Sequence, residues 1–313
     1  MNGERNDALA IRSAAPAATP AKVRFKTASS LDSADIGDII LIDDRGEVIG
    51  PGQLRRMRWL FNLKLGAATG AFAVIPAVIF GSAWLGWLAA FGYLGVRSWR
   101  ARPAYAVRRG VALVAAREYS AAEKLFRQME SRELEFHHQR IVDVYMAKIA
   151  WRFGRFDEAN DRYQRAMSAL SRNKHGEAGM YWLCAFDRVQ LTCARGDVER
   201  AVQLRRKMID APKGEYFQFE RLFTDLLIGF HQGTSKEVED DLYDAVKITL
   251  QSNCFGRSLV LLSWAFHDRG DDEMAVVTLS QAPSRLTRDS FADAIPRLHD
   301  WMMDKCAEWG VDL

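Results

Sequence analysis

The chain has 313 residues, a formal net charge of +3, and 49% hydrophobic and 27% charged residues. This composition is ordinary for a globular protein. Recognition of nucleic acid normally needs a clustered basic face, so the small net charge argues against a nucleic-acid partner. None of the four cysteines forms a CxxC pair, and we predict free buried thiols and no zinc site. They are Cys184, Cys193, Cys254 and Cys306.

The N-terminal part of the chain divides into two segments. Residues 1–34 are rich in Ala, Ser, Thr and Pro and lack the period of a helix or strand, which predicts disorder. In residues 35–52, a β-rich run at 39–42 is followed by a turn signal at 43–46. These signals predict a short β-hairpin-like segment, although a lone hairpin is barely stable in water.

Residues 65–96 contain no charged side chain. A transmembrane helix needs about 20 apolar residues, so we predict a membrane region over residues 53–99. As one helix the uncharged run would be about 48 Å long, against about 30 Å for the hydrocarbon core. Two helices would fit this thickness, with Gly81 and Ser82 at the tip between them. A single span, kinked at Pro76, is the alternative.

Arginines flank the uncharged run on both sides. Positive residues collect on the cytoplasmic side of a membrane, so two positive flanks favour a transmembrane helical hairpin with both ends in the cytoplasm. These side chains can also meet anionic lipid headgroups. They are Arg55, Arg56 and Arg58 before the run, and Arg97, Arg100 and Arg102 after it. The Ala- and Arg-rich composition favours a bacterial inner (cell) membrane.

Four segments after the membrane region share one pattern, at residues 110–129, 147–167, 189–208 and 263–282. Each reads as helix, tight turn, helix. A glycine occupies the turn in three of them, where the end of a helix needs a positive φ. A small residue follows five positions later and lets the second helix approach the first. The turn residues are Arg117, Gly154, Gly196 and Gly270, and the small residues are Ala122, Ala159, Ala201 and Ala275.

This pattern resembles the tetratricopeptide repeat (TPR), a helix-turn-helix unit of about 34 residues. A degenerate unit at 221–246, with Gly233 in the turn and Val238 at the alanine position, fills the gap before the last segment. About five units then cover residues 103–283. The family's early Trp and final Pro are mostly missing. The resemblance implies an all-α fold in which the units stack into a TPR-like solenoid.

Residues 284–313 follow the repeats and carry one apolar stripe, which predicts a C-terminal capping helix. The stripe consists of Phe291, Ile295, Leu298 and Met302.

The resemblance also implies a binding surface, because repeats of this family line a concave groove with the first helix of each unit. The aligned register places seven side chains in that groove, where they would suit an extended or helical peptide with some acidic character. They are Lys148, Trp151, Arg152, Gln190, His231, Trp264 and His267. The alternative is that Trp151 and Trp264 belong to the core between repeats.

The sequence contains no HExxH, GxxxxGK[ST], GxSxG or GxGxxG motif. We therefore predict no catalytic residue, cofactor or metal ion, and a protein that is not an enzyme. The expected function is that of a membrane-anchored TPR scaffold or adaptor that binds a protein partner at the membrane surface. Two alternatives stay open: a structural subunit of a larger membrane complex, and the regulatory part of an enzyme with an unrecognised site.

Overall fold

The computed structural model describes residues 51–80, 83–131, 134, 136–171, 177–235, 242–250, 256–286 and 291–312. Over these residues the chain forms α-helices, one 3-10 helix at Pro283–Arg285 and no strand, which confirms the all-α prediction. The predicted disordered segment and nearly all of the β-hairpin-like segment lie outside the described residues. Pro51 and Gly52, which we assigned to the end of that segment, form the first turn of a helix.

The helices are α1 (Pro51–Phe80), α2 (Ala83–Ala115), α3 (Tyr119–Glu130), α4 (Phe136–Arg152), α5 (Phe156–Ala169), α6 (Ala178–Ala194), α7 (Val198–Arg206), α8 (Glu215–Gln232), α9 (Leu242–Leu250), α10 (Gly256–Asp268), α11 (Asp272–Ser280) and α12 (Pro296–Trp309). The described residues fall into two compact units. The N-terminal unit lies within Ile49–Tyr145 and the C-terminal unit within Met146–Leu313, so the boundary falls inside α4.

In the N-terminal unit, α1 and α2 pack against each other as a helical hairpin, and α2 also packs against α3. With 30 and 33 residues, α1 and α2 are about 45 and 50 Å long. The predicted tip, Gly81 and Ser82, lies outside the described residues. Within the described part of the chain, no helix combines the length and the apolar character that a membrane crossing requires. The predicted crossings stay a prediction.

Each helix-turn-helix closes through one residue with positive φ, as the sequence predicts. The φ angles are 64° at Arg117, 68° at Gly154, 92° at Gly196, 76° at Gly233 and 77° at Gly270. The residue after each of these donates its backbone N–H to the carbonyl oxygen five residues before it. This hydrogen bond gives a partner to a carbonyl at the end of the first helix. Arg117 is the only non-glycine residue with positive φ in the described chain, and this conformation costs an ordinary side chain about 1–2 kcal/mol.

The small residues after the turns are fully buried, which confirms their predicted role in close helix packing. The large apolar residues that follow on the second helices, Phe126 and Tyr163, are also 0% exposed. Val238, the predicted small-position residue of the degenerate unit, lies outside the described residues. The buried small residues are Ala122, Ala159, Ala201 and Ala275.

The C-terminal unit is a stack of helical hairpins. The helix α6 packs against α5, α7 and α8, and α8 packs against α7 and α10. The helix α10 also packs against α9 and α11. The first helices α6, α8 and α10 therefore contact one another in series, and the second helix α7 lies between α6 and α8. This arrangement is solenoid-like, because every hairpin buries its apolar face mainly against its neighbours in the stack.

The C-terminal helix α12 packs against α10 and α11 and buries Leu298, Met302 and Cys306. It begins at Pro296, whose missing N–H is tolerated in the first turn of a helix. Phe291 and Ile295 are buried as the apolar stripe predicts, but they precede the helix in a turn. Cys306, Cys184 and Cys193 are free and buried, as predicted, and Cys254 lies outside the described residues.

Candidate functional site

The predicted groove residues all lie on the first helices of the hairpins, namely α4, α6, α8 and α10. Three of them are buried: Trp151 is 4% exposed, Gln190 is 2% and Trp264 is 6%. The other four, Lys148, Arg152, His231 and His267, are half-buried. The edge of the Trp264 ring meets the ring of Phe230 at 5.3 Å. Trp264 therefore belongs to the core, which is part of the alternative that the sequence left open.

The chain's own C-terminal segment covers three of the predicted groove residues. We call residues 291–309 the covering segment. The indole Nε1 of Trp151, in α4, donates to the carbonyl oxygen of Ala294 at 2.9 Å. The carbonyl oxygen of His231, at the end of α8, accepts a hydrogen bond of 3.1 Å from the Arg297 guanidinium. These contacts place one segment across first helices that are far apart in sequence.

The covering segment also meets the end of α10. The His267 ring contacts two indoles of α12, with centroids 6.3 Å from Trp301 and 5.4 Å from Trp309, and the two indoles also contact each other. The Arg297 guanidinium stacks over the Phe230 ring at 5.5 Å. Burial, and then the positive charge of Arg297, lowers the pKa of His231 to about 4. The imidazole of His231 is therefore neutral at physiological pH.

A polar cluster lies on three of these first helices, α4, α6 and α8, and on α5. We define it as Lys148, Tyr163, Asp187, Gln190, Glu220 and Thr224. The Lys148 ammonium lies 3.4 Å from Oδ2 of Asp187, and the Tyr163 hydroxyl donates to the same oxygen at 3.1 Å. Burial and the Asp187 charge raise the pKa of Tyr163 well above its ordinary value, so its hydroxyl keeps its proton. Asp187 is thereby held between a cation and a neutral donor.

The second half of the polar cluster surrounds Gln190. Its Nε2 donates to Oε2 of Glu220 at 2.9 Å and to Oγ1 of Thr224 at 3.1 Å. Burial, and then the negative charge of Asp187, raises the pKa of Glu220, and hydrogen bonds from Tyr216 and Gln190 offset part of this rise. The cluster thus links α4, α5, α6 and α8 through side chains that carry opposed charges.

The thiols of Cys184 and Cys193 in the C-terminal unit are buried. Burial raises the pKa of the Cys193 thiol to about 12 and also raises that of Cys184, so neither forms the thiolate that attacks a substrate. In the described residues, no group of three or more His, Cys, Asp or Glu side chains is placed to hold a metal ion.

Sequence reasoning included Lys148 and Gln190 but missed Tyr163, Asp187, Glu220 and Thr224 as members of one site. Their signal is local: Asp187 lies three residues before Gln190, and Glu220 lies four residues before Thr224. These spacings put each pair on one face of an otherwise apolar helix. The sequence does not show that the two faces meet.

Glu220→Gln is expected to raise the free energy of unfolding by about 1 kcal/mol at neutral pH, because it removes a poorly solvated charge beside Asp187. The folded-state pKa of Glu220 lies above its unfolded value. The destabilisation is therefore present above the folded pKa and disappears below the unfolded pKa. Urea titrations of wild type and variant should differ most at pH 7 and converge in acid.

The matched control for Glu220→Gln is Glu308→Gln. Glu308 is exposed, and the hydrogen bond from Lys305 lowers the pKa of its carboxyl. Removing this charge is not expected to stabilise the protein. If both variants raised the free energy of unfolding equally, the gain at Glu220 would not come from removing a buried charge.

No protein-family model, no curated protein and no solved structure matches this chain. The resemblance to tetratricopeptide repeats therefore rests on the residues of the chain itself.

Proposed function

We propose that this protein is a membrane-anchored, TPR-like scaffold that binds another protein through its C-terminal unit. The observation that carries the proposal is the apolar surface of the α1–α2 hairpin. Most of the exposed large apolar side chains of the described chain are concentrated there. They are Trp59, Leu60, Phe61, Leu63, Val74, Trp87, Leu88, Phe91, Leu94 and Val96.

This apolar surface needs a cover. Trp87 is 60% exposed and Phe91 is 65% exposed, and their rings lie 5.9 Å apart. Water contact with such a surface costs about 25 cal/mol per Å², and soluble monomers rarely carry large contiguous apolar patches. Hydrocarbon chains of a bilayer would remove this cost without any specific partner.

The charges of the N-terminal unit fit a bilayer as the cover. The run at 65–96 is free of charge, whereas Arg56 before it and Arg102, Arg108 and Arg109 after it are exposed. Cationic side chains at the ends of an apolar hairpin can contact anionic headgroups while the apolar faces contact acyl chains. The two flanks lie at the same end of the hairpin, which supports two crossings with both flanks on the cytoplasmic side.

The stacked hairpins of the C-terminal unit support the scaffold part of the proposal. Stacks of this kind present long surfaces built from many helices, and such surfaces suit extended protein segments. A membrane tether would raise the local concentration of the stack, so that even weak contacts could recruit a partner.

Membrane attachment is tested by fractionating cells that express the full chain and washing the membranes with alkaline carbonate. We expect wild type to stay with the membranes. Val74→Arg combined with Phe91→Arg should release the protein, because both positions are exposed on the hairpin. The matched control is Ile209→Arg, since Ile209 is 82% exposed in the C-terminal unit. Wild type that is soluble, or washed off by carbonate, would overturn the anchor.

The topology is tested with cysteines introduced at Ser29 and Ile209. Cys184, Cys193 and Cys306 are buried and are poor probes in the folded protein. Two crossings predict that an impermeant thiol reagent labels neither introduced cysteine until the membrane is broken. Labelling of one alone in intact cells would show a single crossing. A detergent-extracted particle with constant companion proteins would favour the structural-subunit alternative over an adaptor.

A further inference from the structure

The covering segment makes contacts that a cap for the last hairpin does not need. A terminal cap has to cover only α10 and α11. Here the segment also reaches α4, where Ala294 is bonded to Trp151, although 143 residues separate them. It also reaches α8, where Arg297 contacts both His231 and Phe230. The segment lies across the first helices in the manner of a bound peptide.

The contacts of the covering segment at α4 and α8 are of a kind that another segment can reproduce. Two of its hydrogen bonds involve a backbone carbonyl, at Ala294 on the segment and at His231 on α8. The first needs no particular side chain on the segment, whereas the second needs the guanidinium of Arg297. The side chains that characterise the segment are Phe291 and Ile295, which are buried, and Arg297, which is stacked over an aromatic ring.

One polar atom of α8, the helix that Arg297 contacts, lacks a hydrogen-bond partner in the described part of the chain. Within the described residues, Nε2 of His231 is buried without a hydrogen-bond partner. A buried polar atom that lacks a partner weakens the closed state relative to one in which water or another group reaches it. Gly154 lies against the same segment, and a Cβ there would be 3.3 Å from the carbonyl oxygen of Asp293. The fit is therefore close where the segment passes Gly154.

We propose that the covering segment is a displaceable intramolecular ligand. The ends of α4, α8 and α10 form a binding surface for a protein segment with a buried aromatic residue, an apolar residue four positions later and an arginine two positions after that. The chain supplies this pattern itself as Phe291, Ile295 and Arg297. A partner that carries the same pattern binds by replacing it. This inference deepens the proposed scaffold function, on which its biological use rests, but it does not depend on the membrane anchor.

The test uses the full chain in detergent with a protease site placed within residues 287–290. After cleavage, the covering segment is held only by its non-covalent contacts. A fluorescent peptide of residues 286–312 is then added, and its anisotropy reports binding. We expect the peptide to exchange into the cleaved protein and to bind the uncut protein at least 100-fold more weakly. The uncut segment has a high effective concentration at its own site.

Peptide variants identify the contacts that carry binding. Arg297→Ala in the peptide should weaken binding at least 10-fold, since it removes the hydrogen bond to His231 and the stacking on Phe230. Lys305→Ala is the matched loss of one positive charge. The Lys305 ammonium contacts Glu308 and Trp309, both within α12, so little change is expected. Equal effects of the two substitutions would overturn the assignment of Arg297.

Hydrogen exchange on the uncut full chain gives a second test that needs no cleavage. We expect the amides of α12 to exchange through an opening that leaves α6 and α8 protected. Arg297→Ala should accelerate exchange in α12 alone. If the amides of α12 exchange only together with those of α6, or if the cleaved fragment never exchanges, the segment is a permanent cap and the inference is wrong. The two proposals can fail separately. If carbonate washes the protein off the membranes but the covering segment still exchanges, the membrane anchor is wrong and the displaceable segment is supported.

Discussion

Phe126→Ala is expected to lower the free energy of unfolding of the N-terminal unit by about 3–5 kcal/mol. The Phe126 side chain is 0% exposed between α3 and α2 and stacks on Tyr145 with ring centroids 6.2 Å apart. Its removal loses the transfer free energy of the ring and leaves a cavity that helix backbones cannot fill. Urea titration of the full chain, followed by far-UV circular dichroism, measures the loss.

A double-mutant cycle with Gly110 tests whether this cavity lies where the structure places it. A Cβ at Gly110 would lie 2.4 Å from the Phe126 ring, so Gly110→Ala alone should cost about 1–3 kcal/mol through overpacking. In the double variant the new methyl group enters the space that the ring has left. The combined loss should therefore be smaller than the sum of the single losses. Additive losses would contradict the close approach of α2 and α3. Gly92→Ala is the control, because nothing lies within 4 Å of a Cβ there.

Tyr163→Ala is expected to lower the free energy of unfolding of the C-terminal unit by a similar amount, about 3–5 kcal/mol. Tyr163 is 0% exposed, and its hydroxyl donates to Asp187 in the polar cluster. The variant loses both the buried ring and a hydrogen bond to a charged group. Thermal unfolding measures the loss, with Ser168→Ala, an exposed position on the same helix, as the control.

Tyr163→Phe separates the two contributions at this position. The ring stays and only the donor to Asp187 is lost, so a cost of about 1.5–3 kcal/mol is expected. Asp187 keeps its contact with Lys148 in this variant. If Tyr163→Phe costs as much as Tyr163→Ala, the hydrogen bond carries the effect, and ring packing contributes little.

Features that depend on local backbone conformation could be predicted from the sequence. A helix that ends in a tight turn needs one residue with positive φ, and glycine supplies it at no steric cost. This requirement identified Gly154, Gly196, Gly233 and Gly270, and the shared spacing identified Arg117 as the exception. The alanines that follow were also predictable, because the helical period determines which residue of the second helix faces the first helix.

The candidate site was only partly predictable. The TPR-like register placed Trp151, His231 and His267 on one surface, and the covering segment does contact all three. It did not reveal that the chain itself covers that surface, or that Trp264 is core. The first fact depends on how successive hairpins bring α4 near the C-terminal segment, whereas Trp264 is buried against Phe230 of the neighbouring first helix. Small rotations at each hairpin accumulate over the stack, and no local pattern encodes their sum.

By itself, the sequence determined the helical class, the turn residues, the buried small residues and a long uncharged run, since each follows from period, φ preference or charge within one or two helices. Only the tertiary structure decided that Asp187 and Glu220 share one polar cluster and that Ala294 meets Trp151. These features require residues from separate hairpins to come within a few ångströms. Such contacts arise from the packing of whole helices, which is set by many weak contacts acting together.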